Sequence, residues 1–146
     1  MQVLTKKEWA PYISNYLSLG WKEDNYEITS IEYSSEKIIS YISLSSYFLP
    51  KTGVYHFSIP LAFNIIAQLG IIHGCLDNNI KKKSKEIYLR EIQLKCKHII
   101  SSTKDIKIEI KVTVKRSVKN GFFYIGNISI GNNSFSGEAK YILPIE

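Results

Sequence analysis

The stretch PLAFNIIAQLGIIHGCL, from Pro60 to Leu76, decides the fold of this chain. No charged residue interrupts it. A helix on a protein surface shows a broad charged face, so a helix here must be buried nearly all round. At 100° per residue, Ile65, Leu69, Ile72 and Leu76 fall on one stripe. Ala67, Gly70 and Gly74 gather on another, a small-residue face that lets backbone or a second chain come close. Asn64, Gln68, Ile71 and Cys75 form a third stripe, which carries two amides. Pro is favoured in a first helical turn because its missing N–H is not needed there. The helix is therefore expected from Pro60 to about Asn78, with Ser58 or Ile59 before it.

Outward from the helix the pattern changes to strands. Upstream, Tyr26 to Tyr33 and Lys37 to Phe48 are rich in Ile, Tyr and Ser and are separated by the polar Ser34-Ser35-Glu36 step. They read as a hairpin. Further upstream, Thr5 precedes Glu8 by three residues, the spacing of a capping box, and Pro11 follows in the early turns. A short, imperfect helix within Thr5 to Leu19 is expected. Downstream, Lys85 to Ile100 is a long run mixed enough to predict a bend or bulge. From Asp105 to Lys115, Ile106, Ile108, Ile110, Val112 and Val114 alternate with polar residues, which marks an antiparallel strand with one wet face. Asn120-Gly121 supplies a hairpin turn. Phe122 to Ile130 and Ser134 to Leu143 then pair across Gly131-Asn132-Asn133. The expected order is two strands, one buried helix and about four antiparallel strands, an α+β arrangement.

Composition narrows the class. The chain has 146 residues, with 45% hydrophobic and 22% charged, values of a globular chain with a real core. No linker or repeat breaks it, so residues 1–146 are expected to form one domain. Asn64, Gln68 and His73 interrupt the richest apolar stretch short of the roughly 18 residues of a membrane span. The N-terminus has no apolar signal region, and Cys75 and Cys96 lack a CxxC or His-rich setting. A cytoplasmic protein with free thiols, no metal and no cofactor is expected. The net charge of +6 is concentrated in two clusters, Lys81, Lys82, Lys83 and Lys85, and Lys115, Arg116 and Lys119. These read as solvated turns, or as a positive rim for a phosphorylated carrier. Nucleic-acid binding would want stacking aromatics beside them, and nothing beyond charge supports it.

The element order resembles the hotdog topology, an antiparallel sheet wrapped around one long central helix, here with a short N-terminal helical segment. The resemblance covers about Tyr26 to Leu143. Its sharpest part is His56-Phe57 followed by Asn64-Ile65-Ile66-Ala67-Gln68. This is similar to the dehydratases of fatty-acid synthesis, whose His-Phe precedes a helix opening Glu-x-x-Ala-Gln. Asn64 here takes the place of their catalytic acid, and an amide has no proton to trade near pH 7. A closer resemblance is to the FcoT-like long-chain acyl-CoA thioesterases, hotdog enzymes whose pocket relies on Tyr and Asn. Asn64 matches the helix asparagine of that pattern, and His56, with Tyr55 beside it, stands about where a tyrosine is found. His73 falls where a second asparagine is expected, although about 180° from Asn64 on the helix.

The resemblance implies an acyl thioester hydrolase acting on fatty acyl-CoA or an acyl carrier protein thioester, at a carboxylate-independent site. It also implies a homodimer or higher homo-oligomer. The alternative is a (3R)-hydroxyacyl dehydratase-like or non-catalytic acyl-thioester-binding hotdog protein in a fatty-acid, polyketide or related pathway. Asn64 and His56 are the expected catalytic pair, orienting water and the thioester carbonyl beside the free N–H groups of the helix start. His56 is the nearby side chain whose ordinary pKa suits a base near neutrality. Tyr47, Tyr55, Gln68 and His73 are the expected substrate-binding residues. Against this stands a purely structural reading, in which the amides and histidines satisfy backbone groups. Asp77, at the helix end where a carboxylate opposes the dipole, reads as a solvent-facing residue.

Overall fold

The computed structural model describes residues 1–14, 17, 20–82, 85, 86 and 88–145. Leu19, Lys83 and Ile87, which fall within the segments considered above, lie outside the described residues. Among the described residues, six strands form one antiparallel sheet: β1 (Asn25–Ser34), β2 (Lys37–Ser46), β3 (Tyr88–Cys96), β4 (Ile106–Val118), β5 (Gly121–Ile130) and β6 (Phe135–Pro144). Their order across the sheet is β1-β2-β4-β5-β6-β3. A four-residue helix α1 (Lys6–Trp9) opens the chain, followed by 3-10 turns at Ala10–Tyr12 and Gly20–Lys22. The long helix α2 (Ile59–Asp77) carries the chain from β2 to β3 at the far edge.

The two helix starts form as expected, and one turn does not. The Glu8 carboxylate accepts the Thr5 backbone N–H at 2.7 Å and the Thr5 hydroxyl at 2.8 Å, and Pro11 tightens the next turn into a 3-10 helix. Ser58 caps α2, its Oγ accepting the Leu61 N–H at 3.3 Å. The turn between β4 and β5 is Lys119-Asn120, one residue earlier than expected, because Asn120 itself takes the left-handed conformation at φ 62°. The β5–β6 loop has positive φ at Gly131, Asn132 and Asn133.

The sheet curves round α2 because three strand pairings shift register, at Asn25/Tyr26 and Ile28/Ser30, at Leu89/Glu91 and at Val112/Val114. Each extra residue bends its strand and increases the local twist. Inside the curve, Ile38, Ile42, Ile108, Ile110, Ile128 and Ile130 meet Leu61, Ile65, Ile66 and Leu69 of α2. The apolar run of α2 is long enough to cross a membrane, with mean hydropathy 1.7, yet it lies in this core.

Burial of α2 is less complete than the sequence predicts. Ile65, Ile66, Leu69, Gly70, His73 and Gly74 are buried, but Phe63, Asn64, Gln68 and Leu76 are exposed and Ile71 and Cys75 are half-buried. The curved sheet covers one side of the helix, and the amide stripe faces outward within one chain. The small-residue face also has a different partner from the one expected. A Cβ at Gly70 would meet the Tyr141 ring at 3.6 Å, so an aromatic side chain, not a backbone, lies against it.

Candidate functional site

Asn64 sits in the second turn of α2 and lines a cleft of about 280 Å³ with Trp21, Lys22, Asp24, Asn25, Tyr26 and Leu61. Tyr26 enters from the start of β1, and its hydroxyl donates to Asn64 Oδ1 at 3.0 Å. Burial raises the Tyr26 pKa, which keeps the phenol protonated and donating. With its oxygen engaged, Asn64 retains the Nδ2 hydrogens to offer elsewhere.

The helix start does not supply the donors expected of it. Pro60 has no N–H, the Leu61 N–H goes to Ser58 Oγ and the Ala62 N–H to Ser58 O at 3.0 Å. The donor that α2 itself offers to the cleft is the side-chain amide of Asn64, with Trp21 and Lys22 lining the cleft from the turn before β1.

Nor is the cleft free of carboxylate. Asp24 lies between the Gly20–Lys22 turn and β1, half-buried. Its Oδ1 accepts the Phe48 N–H at 3.0 Å, and its Oδ2 receives the Tyr55 hydroxyl at 3.4 Å. Desolvation by burial raises the Asp24 pKa above the usual aspartate value, against the two hydrogen bonds that lower it. Sequence reading missed this residue, because Glu23-Asp24 looks like any polar turn. The available signal was the two-residue spacing that puts Asp24 on the same strand face as Tyr26 and Ile28.

His56 occupies neighbouring ground. Tyr55 and Phe57 are buried and His56 between them is half-buried, so an extended segment turns the imidazole to the opposite side. It lines one small recess with Gly20, Trp21, Asp24, Phe48, Pro50 and Ser58, and a second with Ile59, Cys96, His98 and Phe135. Trp21 and Asp24 belong both to the Asn64 cleft and to the first His56 recess. Tyr55 is buried with its hydroxyl on Asp24, raising its pKa by burial, and Tyr47 is exposed with its ring edge-on to Tyr55 at 5.1 Å. Gln68 is exposed one turn beyond Asn64.

His73 is elsewhere. It is 0% exposed, its Nε2 bonded to Ser35 O at 3.2 Å and its Nδ1 to the Tyr141 hydroxyl at 3.2 Å. Both nitrogens are occupied by the protein's own groups, so His73 has no free polar atom for a ligand within one chain. Burial lowers its pKa and favours the neutral ring. Asp77 does not simply face water: its side chain is 7% exposed, paired with Lys115 and accepting the Tyr124 hydroxyl at 2.8 Å. These partners hold its carboxyl below the usual range despite desolvation. Lys115 is thereby a structural cation, also lying 4.7 Å from the Phe122 ring centroid, and Arg116 stands over Phe123. The second basic cluster is split by strand alternation and does not form one anionic-ligand face.

No protein-family model matches the sequence, and neither does any curated protein. Solved structures do match. Thioesterase HI1161 from Haemophilus influenzae aligns over 99% of this chain and 94% of its own, with TM-score 0.56 and 13% identity. A mutant form of thioesterase PA1618 from Pseudomonas aeruginosa aligns over 98% of this chain and 96% of its own, with TM-score 0.55 and 11% identity. This chain has the hotdog fold. Another structural neighbour, smu.793 from Streptococcus mutans, was solved bound to acetyl CoA and aligns over 84% of this chain and 89% of its own, at TM-score 0.51 and 9% identity. Identities this low establish architecture alone.

Proposed function

We propose that the protein is an acyl thioester hydrolase, acting on fatty acyl-CoA or an acyl carrier protein thioester in the cleft beside Asn64. The observation that carries this reading is the Tyr26–Asn64 pair at 3.0 Å, which orients an amide donor at the start of the central helix. It supports an FcoT-like site, built on Tyr and Asn, with Tyr26 as the tyrosine in place of the position at His56. The fold is that of proteins described as thioesterases, and one neighbour binds acetyl CoA, which supports an acyl-CoA substrate. Asn64 Nδ2 holds the oxyanion that forms when water adds to the thioester carbonyl. His56, across Trp21 and Asp24, belongs to the same neighbourhood and is the second residue to test.

A homodimer or larger homo-oligomer forms part of this proposal. Strand β3 lies at one edge of the sheet among the described residues, and the exposed stripe of Phe63, Asn64 and Gln68 leaves an uncharged helix face uncovered. Thiol release measured across acyl-CoA chain lengths is the decisive experiment. Asn64→Ala is expected to lower kcat about 10²–10³-fold, the usual cost of one oxyanion donor. Unchanged turnover in both Asn64→Ala and His56→Ala would remove the site assignment. Tight acyl-CoA binding with no thiol release would select the non-catalytic binder instead.

A further inference from the structure

The remaining question at this site is what activates water, since Asn64 cannot. We propose that Asp24 is the general base, a carboxylate delivered to the cleft by the turn before β1 and not by the central helix. This inference rests on the hydrolase reading above.

Three observations carry it. Asp24 lines the same cleft as Tyr26 and Asn64, and also the recess that holds His56, so it stands at the junction of the two. Its position is held from both sides. The Asp24 N–H bonds to Trp21 O at 3.3 Å, and Asn25 Nδ2 donates to Glu23 O at 3.2 Å and Ser46 Oγ at 2.8 Å. Finally, the carboxylate is unevenly engaged. Oδ1 has a good backbone donor, whereas Oδ2 has among the described residues only the long 3.4 Å contact from Tyr55. An oxygen held that loosely retains lone-pair capacity for a water. Partial burial makes the carboxylate more basic than an exposed one, which suits a group that must take a proton.

The step balances with water alone. Asp24 Oδ2 takes a proton from water as its oxygen bonds to the thioester carbon, and the carbonyl π pair becomes an oxyanion held by Asn64 Nδ2. Collapse re-forms the C=O bond and breaks the C–S bond. The departing thiolate takes the proton back from Asp24, leaving a free acid, a thiol and the original carboxylate.

The test compares wild type with Asp24→Asn, which keeps the size of the side chain and an acceptor for the Phe48 N–H. Thiol release from acyl-CoA should fall about 10²–10⁴-fold, the usual contribution of a positioned base. The Kd for a non-hydrolysable thioether analogue of acyl-CoA should stay within about 3-fold, the margin that separates lost binding from lost chemistry. The wild-type kcat/KM should decline toward acid as Asp24 is protonated, and Asp24→Asn should lack that limb. Asp24→Glu should recover part of the rate. Turnover in Asp24→Asn within about 3-fold of wild type, in an otherwise active enzyme, overturns the assignment of Asp24 and leaves the hydrolase reading intact. A wild type that binds the analogue but releases no thiol overturns both.

Discussion

Replacing Tyr141 by Phe removes one oxygen and nothing else, and the consequence follows from where that oxygen sits. Tyr141 is 2% exposed and its hydroxyl meets His73 Nδ1 at 3.2 Å, while His73 is 0% exposed. The Phe ring preserves the stack on Tyr124, at 5.0 Å between centroids, and the contact with Gly70. No cavity term therefore enters. What remains is a buried imidazole nitrogen without a donor, which costs about 1–3 kcal/mol. Against a total stability of about 5–15 kcal/mol, that loss is readily measured by urea unfolding. Adding His73→Leu removes the stranded nitrogen, and the Ser35 carbonyl it frees belongs to an exposed residue that water can reach. The double variant should then be less destabilised than the sum of the two singles, by at least about 0.5 kcal/mol.

The same residue predicts a pH dependence of definite sign. Burial lowers the folded-state pKa of His73, so the unfolded chain binds its proton first. The stability from His73 is fully present above the unfolded value of about 6.5 and is lost as pH falls from there toward the folded pKa. The slope is at most about 1.4 kcal/mol per pH unit for one proton. Unfolding free energies of wild type and His73→Leu, measured from pH 8 to about pH 5, should converge toward acid. A Tyr141→Phe variant within about 0.3 kcal/mol of wild type, or parallel pH profiles, would refute the account of this pair.

Two further predictions concern stability. Ser40 lies on the helix side of β2 between Ile38 and Ile42, fully buried, and its hydroxyl has no partner among the described residues. Ser40→Ala should raise the unfolding free energy by about 1 kcal/mol, because it removes an unpaired polar group; a loss measured in urea would count against that reading. Asp77→Asn should cost about 1.5–3 kcal/mol at pH 7 through the bonds to Lys115 and Tyr124. Since the Asp77 pKa is lowered in the fold, that advantage is present above the unfolded value of about 3.9 and fades as pH falls through the folded pKa. An undiminished gap at low pH would contradict it.

Much of the architecture was legible in residue order because it depends on local periodicity. The uncharged run from Pro60 to Leu76 specifies a core helix, and the alternation from Ile106 to Val114 specifies a strand with one wet face, without reference to any other segment. Asn64 was equally visible, as an amide on a helix otherwise almost wholly apolar. Its setting was not. Tyr26 reaches Asn64 across 38 positions and Tyr124 reaches Asp77 across 47, pairings that exist only after β1, β4 and β5 are in register. The register shifts that curve the sheet also decide which helix stripe it covers, and so leave Asn64 and Gln68 open while enclosing His73. Sequence alone determined that a buried helix would be wrapped by antiparallel strands, because hydrophobic spacing is read within each element. Only the tertiary structure decided that Asp24 would share a cleft with Asn64, because that depends on how far a curved sheet brings the turn before its edge strand toward the helix.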